Sequence, residues 1–404
     1  MAELRQNTWS LNAWYEQDYA GNVDYESTLT EFFTWGLNHK GQNDHNSEAK
    51  YSSPTQVTGS TWAYLSNANN NDSYHMIATR TDGTLWSWGD NNNGQLGLNE
   101  NGPSRKSSPV QIPGTTWNSG QLAREHTASF ARKTDGTLWA WGYNAYGELG
   151  DNSTIPKSSP IQIPGSGWRT VAAGSGSVFA TKVDNSLWSW GNGAHGALAH
   201  NNDTTISSPK QVGIAHDIST SYVYSTEPGH LAAGGQNFAV IRTDGSLWMC
   251  GVNEYGTFGN NAKAKRSSPI QVGNSKDWSN VGMTQRSVAA IKTDGTLWVW
   301  GSNMEGRLGL NQSEPASAGN SSPTQIHGGG TTWETVIGGQ THLMATKTDG
   351  TLWTWGNGGN GMLGLNEGPG NSRSSPTQIP GTSWARGANK MASIYYGSGA
   401  LKLQ

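Results

Sequence analysis

A run of alternating polar and aromatic positions recurs along the whole chain. One copy, residues 81–89, reads Thr-Asp-Gly-Thr-Leu-Trp-Ser-Trp-Gly. Its Asp-Gly pair is a strong hairpin signal because both residues tolerate positive φ, and the Trp-rich run that follows favours a strand. Seven copies end in a glycine at intervals of 49 to 60 residues: Gly36, Gly89, Gly142, Gly191, Gly251, Gly301 and Gly356. A period near 50 predicts a propeller or a solenoid built from one repeated unit.

Three further landmarks complete each unit. A Ser-Ser-Pro-x-Gln motif follows every glycine, in seven copies that begin at residues 52, 107, 158, 207, 267, 321 and 374. A Gly-x-Leu-Gly turn such as residues 94–97 lies between the strand-ending glycine and the Ser-Ser-Pro motif. A lone tryptophan such as Trp168 follows the motif. From this order we predict four short strands in each unit: one near the lone tryptophan, one before the Asp-Gly hairpin, the Trp-rich strand, and one at Ser-Ser-Pro.

The tryptophans fill repeated positions. Eighteen of the twenty lie in the Trp-rich strand or at the start of the next unit, and Trp9 and Trp14 are the other two. Each indole can bury about 150–250 Å², so we expect these side chains to pack neighbouring sheets together rather than to form a site. Cys250, the only cysteine, stands where other copies have a tryptophan. It is predicted to be a small buried hydrophobic residue.

The two ends of the chain are out of phase and complementary. The first unit begins at residues 31–36, which match the third strand of the others, and the last contains residues 391–396, which match the second strand. We therefore predict an all-β, seven-bladed propeller over residues 31–404, closed by N- and C-terminal strands that share one blade. Residues 399–404 also resemble a third strand, so they either compete for that position or add a strand. Residues 1–30 do not match the repeat and are predicted to be an anchoring leader.

Composition and charge narrow the class of protein. Charged residues make up 14% of the chain, the net charge is −3, and 54 residues are glycine. This balance gives no indication of the basic face that nucleic-acid binding requires. The sequence also has no signal-peptide pattern and no apolar run of about 18 residues. We therefore expect neither nucleic-acid binding nor membrane insertion.

No group of side chains in the sequence indicates catalysis. Six aspartates occupy the same hairpin position and are predicted to be turn residues, because carboxylates spread around a ring cannot act as one pair. His75, His126 and His342 are interpreted as sharing one hydrogen-bonding position just before the second strand. Metal-ligand spacings, phosphate-binding loops and nucleophile–base arrangements are missing from the sequence. We predict that the chain is not an enzyme and uses no metal and no cofactor.

The cassette of Thr-Asp-Gly-Thr-Leu-Trp-x-Trp-Gly, Asn-x-x-Gly-x-Leu-Gly and Ser-Ser-Pro-x-Gln resembles the RCC1 repeat, named after the regulator of chromosome condensation. The resemblance covers about residues 30–404 and implies a seven-bladed β-propeller. It does not fix a function, because the family includes exchange factors for a small GTPase, an ultraviolet photoreceptor and a β-lactamase inhibitor. The regular Asn/Gly-rich cassette and the short leader look most similar to RCC1-repeat proteins of marine cyanophages.

The segments that break the repeat are the candidates for binding a partner. Aromatic residues of the leader are predicted interface anchors, namely Trp9, Trp14, Tyr15 and Tyr19. The longest departure from the repeat, residues 213–231, contributes Tyr222 and Tyr224. Basic residues before the Ser-Ser-Pro motifs form either a positive rim for an acidic partner or scattered solvated charge. They include Arg105, Lys106, Lys265 and Arg266.

These observations favour a non-enzymatic structural or binding protein. We predict a phage virion component, associated with the tail or the capsid, whose rigid propeller contacts virion proteins or a host-surface receptor. It would be found in the virion, or in the cytoplasm before assembly, and self-association through the leader is left open. The alternatives are a regulatory protein of the RCC1 type, acting as a small-GTPase exchange factor or an enzyme inhibitor, and a light sensor.

Overall fold

The repeated units fold into seven four-stranded antiparallel sheets, which are the blades of a propeller. The computed structural model describes residues 30–66, 73–100, 102, 104–117, 120–213, 229–312, 319–326, 329–368 and 370–404. In six of the sheets the four strands follow one another in sequence order. The predicted all-β, seven-bladed propeller is confirmed.

The N-terminal strands are β1 (Thr30–Gly36) and β2 (Tyr51–Gln56). Blade I contains β3 (Trp62–Leu65), β4 (His75–Arg80), β5 (Leu85–Gly89) and β6 (Lys106–Ile112). Blade II contains β7 (Leu122–Arg124), β8 (Ala128–Arg132), β9 (Leu138–Gly142) and β10 (Lys157–Gln162). Blade III contains β11 (Trp168–Ala173), β12 (Ser177–Lys182), β13 (Leu187–Gly191) and β14 (Ile206–Gln211).

Blade IV contains β15 (Leu231–Gly234), β16 (Asn237–Ile241), β17 (Leu247–Gly251) and β18 (Arg266–Gln271). Blade V contains β19 (Trp278–Met283), β20 (Ser287–Lys292), β21 (Leu297–Gly301) and β22 (Asn320–Gln325). Blade VI contains β23 (Trp333–Gly338), β24 (His342–Lys347), β25 (Leu352–Gly356) and β26 (Arg373–Ile379). The last strands are β27 (Met391–Ile394) and β28 (Gly397–Leu403). Short 3-10 turns occur at Ala194–Gly196, Met304–Gly306, Gly359–Gly361 and Ala388–Lys390.

Blade VII joins the N-terminal and C-terminal strands in the order β27, β28, β1, β2. Strand β1 pairs with β28 from Thr30↔Leu403 to Gly36↔Gly397. Closure by shared strands is therefore confirmed, and residues 31–36 fill the third position. The assignment of residues 391–396 to the second strand is wrong, because β27 is the first strand and β28 is the second. Residues 399–404 accordingly neither compete with β1 nor add a strand.

An inserted turn explains this misassignment. In blades I, III, V and VI the lone tryptophan is the first residue of the first strand. Trp384 instead lies seven residues before β27, forms an isolated bridge to Lys402, and is followed by the turn Ala388–Lys390. Short apolar strands carry no signal that distinguishes one position in a sheet from the next. The sequence therefore identified a strand here but not the position of that strand in the four-stranded sheet.

The hydrophobic core is divided into layers between neighbouring blades. In one layer, Ile77 and Leu85 of blade I pack against Trp117 and Trp141 of blade II. The second tryptophan of a Trp-rich strand is fully buried in such a layer, as at Trp88, whereas the first is half-buried. The expectation that the tryptophans pack the blades together is confirmed.

The innermost strands enclose a narrow channel on the axis of the propeller. Blades I to VI contribute apolar side chains to it, among them Leu65, Leu122, Val171, Leu231, Val281 and Val336. The cavity volume is about 60 Å³, which is room for only a few water molecules. The channel is therefore part of the core, and function is to be sought at the two ends of the propeller.

Candidate interaction surface

The two ends of the propeller collect different connections. The turns between second and third strands lie at one end, together with the links from each fourth strand to the next blade. We call this the hairpin end. The turns between first and second strands and the longer loops between third and fourth strands lie at the other, which we call the loop end. Loops on a rigid scaffold are the usual place for recognition.

The aspartates of the hairpin end stabilise their own turns. Asp82 Oδ1 accepts hydrogen bonds from the Thr84 backbone N–H at 3.0 Å and from its hydroxyl at 2.6 Å. The hydroxyl hydrogen bond holds the pKa of Asp82 below its usual value. Trp86 Nε1 donates to the same hydroxyl oxygen at 2.8 Å. The hydroxyl-to-carboxylate bond recurs at Asp135, Asp184, Asp244, Asp294 and Asp349. Their interpretation as turn residues is confirmed.

A cation lies between two aromatic rings in most blades, a feature that the sequence analysis missed. Lys133 Nζ lies 4.6 Å from the centroid of the Trp117 ring and 4.0 Å from that of Trp139. The equivalent cations are Arg80, Lys182, Lys292, Lys347 and Lys402. All of them except Lys402 lie two positions before a turn aspartate, and this spacing is the signal that would have found them. Since these contacts complete each blade's own packing, they indicate structure rather than a site.

The Ser-Ser-Pro motif ties each blade to its neighbour at the loop end. The Asn99 backbone N–H, in the left-handed region at φ 58°, donates to the Ser158 carbonyl at 2.8 Å, and Ser159 Oγ donates to Asn99 Oδ1 at 3.2 Å. Gly94 permits the approach, since a Cβ there would lie 2.7 Å from Ser158 Cα. The same backbone link is made by Asn46, Asn152, Asn201, Asn261, Asn311 and Asn366. The loops are therefore held in a fixed frame.

Buried indoles supply a second link between blades. Trp141 Nε1 donates to the Gln95 carbonyl of the preceding blade at 2.8 Å. The same bond is made by Trp35, Trp88, Trp190, Trp300 and Trp355. In blade IV, Cys250 takes this place and donates its Sγ–H to the Gly196 carbonyl at 3.1 Å, and burial raises the pKa of the thiol. The prediction of a small buried residue is confirmed.

One position that is exposed or half-buried in every blade varies within this frame. It is the residue before the first glycine of each Gly-x-Leu-Gly turn or its equivalent: Lys40, Asn93, Tyr146, His195, Tyr255, Glu305 and Asn360. Blades II, III and IV carry a phenol or imidazole ring there. Tyr146 is 46% exposed, one of three large apolar side chains exposed to this degree in the described part of the chain. Aligning the seven turns residue by residue would have identified this position from the sequence.

A pocket of about 300 Å³ lies beside the rings of His195 and Tyr255, between the loops of blades III, IV and V. Its polar lining includes His195, Gln236, Glu254, Tyr255, Gln285 and Arg286. The guanidinium carbon of Arg286 lies 4.7 Å from the centroid of the Tyr255 ring, so this contact joins two blades. Tyr146, His195, Tyr255 and Arg286 all lie at the loop end. Tyrosine and arginine are the residue types that most often anchor protein interfaces.

Two buried carboxylates meet near Tyr146. Glu125 accepts a hydrogen bond from the Gly176 backbone N–H at 2.7 Å, and Glu148 accepts one from the Tyr146 backbone N–H at 2.8 Å. Burial, followed by the charge of Glu148, raises the pKa of Glu125 well above its usual value, and burial raises the pKa of Glu148. The pair therefore retains a proton at pH values where an exposed glutamate has lost it.

The four predicted basic residues, Arg105, Lys106, Lys265 and Arg266, all lie at the loop end. Three have a carboxylate close by, in the ion pairs Arg105–Glu48 at 2.7 Å, Lys106–Glu100 at 3.1 Å and Lys265–Asp203 at 2.9 Å. These pairs reduce the local positive charge, and a positive rim stays a prediction. Trp9, Trp14, Tyr15, Tyr19, Tyr222 and Tyr224 lie outside the described residues. Thr30, assigned to the leader, is the first residue of β1.

His75 and His342 share one position, and His126 does not. His75 Nε2 lies 2.8 Å from Ser129 Oγ, and His342 Nε2 lies 2.7 Å from Ser398 Oγ, so each histidine bonds the next blade. In blade II the equivalent residue is Ala128, which pairs with Gly142 as His75 pairs with Gly89. The assignment of His126 to this position is wrong. It lies two residues earlier, in the turn, and its side chain is exposed.

Two general findings bear on chemistry. Among the residues that the structure describes, no group of three or more His, Cys, Asp or Glu side chains is placed to hold a metal ion. No helix in the described ranges is long and apolar enough to cross a membrane. The expectations of no metal, no cofactor and no catalysis stay predictions.

Comparison with known proteins agrees with the cassette and the fold. Residues 72–401 match the family model described as the RCC1-like domain. The chain belongs to the RCC1-like domain family. This RCC1-like chain is 25% identical over 254 residues to the ultraviolet-B receptor UVR8 of Arabidopsis thaliana, covering 62% of the chain and 55% of the receptor. It is 37% identical over 93 residues to protein RCC2 of Homo sapiens, covering 22% of the chain and 17% of that protein.

Solved structures show the same architecture. Yeast RCC1 (Prp20), in its complex with Kap60, superposes with a TM-score of 0.79 at 17% identity, over 96% of this chain and 92% of that chain. Human WBSCR16 gives a TM-score of 0.75 at 17% identity, over 93% of this chain and 100% of that chain. At these identities the likeness concerns the fold alone.

Proposed function

We propose that this RCC1-like propeller is a non-enzymatic binding protein that presents its loop end to a partner protein. The observation that carries the proposal concerns the loops between third and fourth strands, in which some positions recur in every blade and one position varies. Their asparagine links to the Ser-Ser-Pro motif recur in every blade, whereas the solvent-accessible residue before the glycine changes from one blade to the next. A rigid frame that varies at one solvent-accessible position suits recognition, because little conformational entropy is lost on binding.

Site-specific crosslinking tests which end of the propeller binds. A photoreactive phenylalanine analogue would replace Tyr146 at the loop end, and the matched control would replace Val183, which is 63% exposed in a turn of the hairpin end. We expect a discrete crosslinked product from position 146 and none from position 183 when the protein is irradiated in its native setting. Products from position 183 alone would contradict the proposal.

We further propose that the setting is a phage virion, where the propeller is associated with the tail or the capsid and contacts virion proteins or a host-surface receptor. This proposal is supported by the regular Asn/Gly-rich cassette and by an N-terminal segment that carries Trp9 and Trp14. Mass spectrometry of purified particles should detect the chain in stoichiometric amounts. Its presence in the infected lysate but not in the particles would contradict the proposal.

A regulatory protein that acts as a small-GTPase exchange factor or an enzyme inhibitor is the second candidate, and membership of the RCC1-like family favours it. The assay is nucleotide release from a panel of small GTPases with and without the full chain. If release accelerates, and replacing Tyr146 by alanine abolishes the acceleration, the exchange-factor candidate replaces the virion proposal.

A further inference from the structure

Arg286 combines two features at the loop end, since it has no ion-pair partner among the described residues and it lines a pocket. Arg105, Arg307 and Arg373 each form an ion pair with a glutamate. Arg286, in contrast, has no carboxylate within 4.0 Å among the residues that the structure describes. It therefore forms no ion pair, although it lines a concave pocket.

The contact with Tyr255 holds this cation in place. The guanidinium carbon lies 4.7 Å from the ring centroid, at the distance of a cation–π interaction. Stacking uses the face of the guanidinium and leaves its N–H groups, which project in the plane, able to donate hydrogen bonds. Because Tyr255 lies in the frame that the asparagine links fix, the entropy needed to position Arg286 is lost on folding and not on binding.

The charge distribution limits what the pocket can take. Glu254 lies on the pocket wall, is exposed, and has no ion-pair partner within the described ranges. It disfavours a ligand with several negative charges, such as a nucleic-acid backbone, because like charges repel across a confined site. A volume of about 300 Å³ is sufficient for one acidic side chain. A single carboxylate opposite Arg286 satisfies both constraints.

We propose that this pocket binds one Asp or Glu side chain of a partner protein, with Arg286 as the anchor and His195 as a flanking contact. The inference rests on the proposed binding function and deepens it by naming the residue and the chemistry that would recognise the partner. Arginine fits this role because its planar donors match a carboxylate with two parallel hydrogen bonds.

The test uses the full chain and a displayed library of random linear 12-residue peptides as the probe. Peptides selected on the wild-type protein should share an Asp or Glu. Replacing that residue by Asn or Gln, or making Arg286→Gln, should each weaken binding by about tenfold or more. The two changes together should weaken it no further than either alone. Arg386→Gln, an exposed arginine that is paired with Glu334 at the hairpin end, is the matched control and should leave binding unchanged.

The outcomes separate this inference from the function on which it rests. Selected peptides without an essential acidic residue, or binding that Arg286→Gln leaves intact, would overturn the acidic-anchor inference and leave the binding function standing. If no peptide is selected, the inference is also overturned, and crosslinking at Tyr146 then decides the binding function independently. If Arg286→Gln does not fold, the acidic-to-amide change in the peptide measures the same interaction on the wild-type protein.

Discussion

At the scale of single residues, Cys250 and Ala199 show how one departure from the repeat accompanies another. In five other places around the ring a glycine faces the buried tryptophan, and a Cβ at Gly309 would lie 2.9 Å from Trp355 Nε1. Ala199 occupies the equivalent position at φ 63° and packs in the same cluster as Cys250. Because cysteine is much smaller than tryptophan, the alanine methyl group has room. The sequence predicted that Cys250 is buried, but only the packing connects it with Ala199.

Restoring the repeat at one of these two positions should therefore be harmful. We expect Cys250→Trp to lower the free energy of unfolding by about 1–3 kcal/mol, because the indole overpacks the space beside the Ala199 methyl group. Adding Ala199→Gly should recover most of the loss. Urea denaturation of the two single variants and the double variant measures the coupling. Equal losses with and without Ala199→Gly would show that the two sites are independent.

At the scale of elements, the loops between third and fourth strands hold the blades together as well as carrying the variable position. Gly306 has a φ of 75°, and a Cβ there would lie 2.6 Å from Ser374 Cα of the next blade. The sequence revealed both the glycine and the Ser-Ser-Pro motif as landmarks. It did not reveal that they touch, because they lie in different units and their contact depends on how the blades pack.

This contact predicts a position-specific effect of alanine. Gly306→Ala should destabilise the protein by about 2–4 kcal/mol, the sum of a left-handed backbone cost and overpacking against Ser374. Gly368→Ala is the matched control, since it has no positive φ and nothing lies within 4 Å of the added Cβ. It should change stability by less than about 0.5 kcal/mol. Similar denaturation midpoints for the two variants would contradict the close contact.

The buried carboxylate pair of blade II predicts a pH dependence. The pKa values of Glu125 and Glu148 are raised in the folded state, so their contribution to stability is fully present below the unfolded value, near 4.5, and is lost as the pH rises through the folded values. Gln95, at the position equivalent to Glu148 in blade I, accepts the same kind of backbone bond, from the Asn93 N–H at 2.8 Å. Glutamine can therefore replace Glu148 without loss of that hydrogen bond.

We expect Glu148→Gln to match the wild type in stability near pH 4 and to exceed it by on the order of 1 kcal/mol at pH 7–8. Denaturation curves collected from pH 4 to pH 8 measure the difference. If the unfolding free energies of the two proteins differ by the same amount at every pH, the pair does not titrate in this range.

At the scale of the whole molecule, the ring is closed by β1 and β28 and reinforced by Arg124. This fully buried side chain donates to Ser66 Oγ at 2.7 Å, to Ser73 Oγ at 2.9 Å, and to the carbonyl oxygens of His75 and Ser393. It thus connects blade II with blades I and VII. Burial lowers the pKa of Arg124 to about 9, so the guanidinium remains charged at neutral pH.

Removing this cation should weaken closure. Arg124→Met leaves two carbonyl oxygens and two hydroxyl groups without their donor, and we expect a loss of about 2–5 kcal/mol with earlier proteolysis of blade VII. Arg386→Met is the control, because its exposed ion pair with Glu334 at 3.4 Å contributes less than about 1 kcal/mol. Thermal unfolding and limited proteolysis measure both variants. Unchanged melting of Arg124→Met would show that strand pairing alone closes the ring.

The sequence by itself determined the number of blades, the hairpins at the Asp-Gly turns, the burial of the tryptophans and the sharing of one blade by the two ends. These follow from local composition and a fixed period, which are written along the chain. The tertiary structure alone decided that β27 is a first strand, that His126 is a turn residue, and that Arg286 contacts Tyr255 and lines the same pocket as His195. Each of these depends on contacts between strands or blades, which no local pattern encodes.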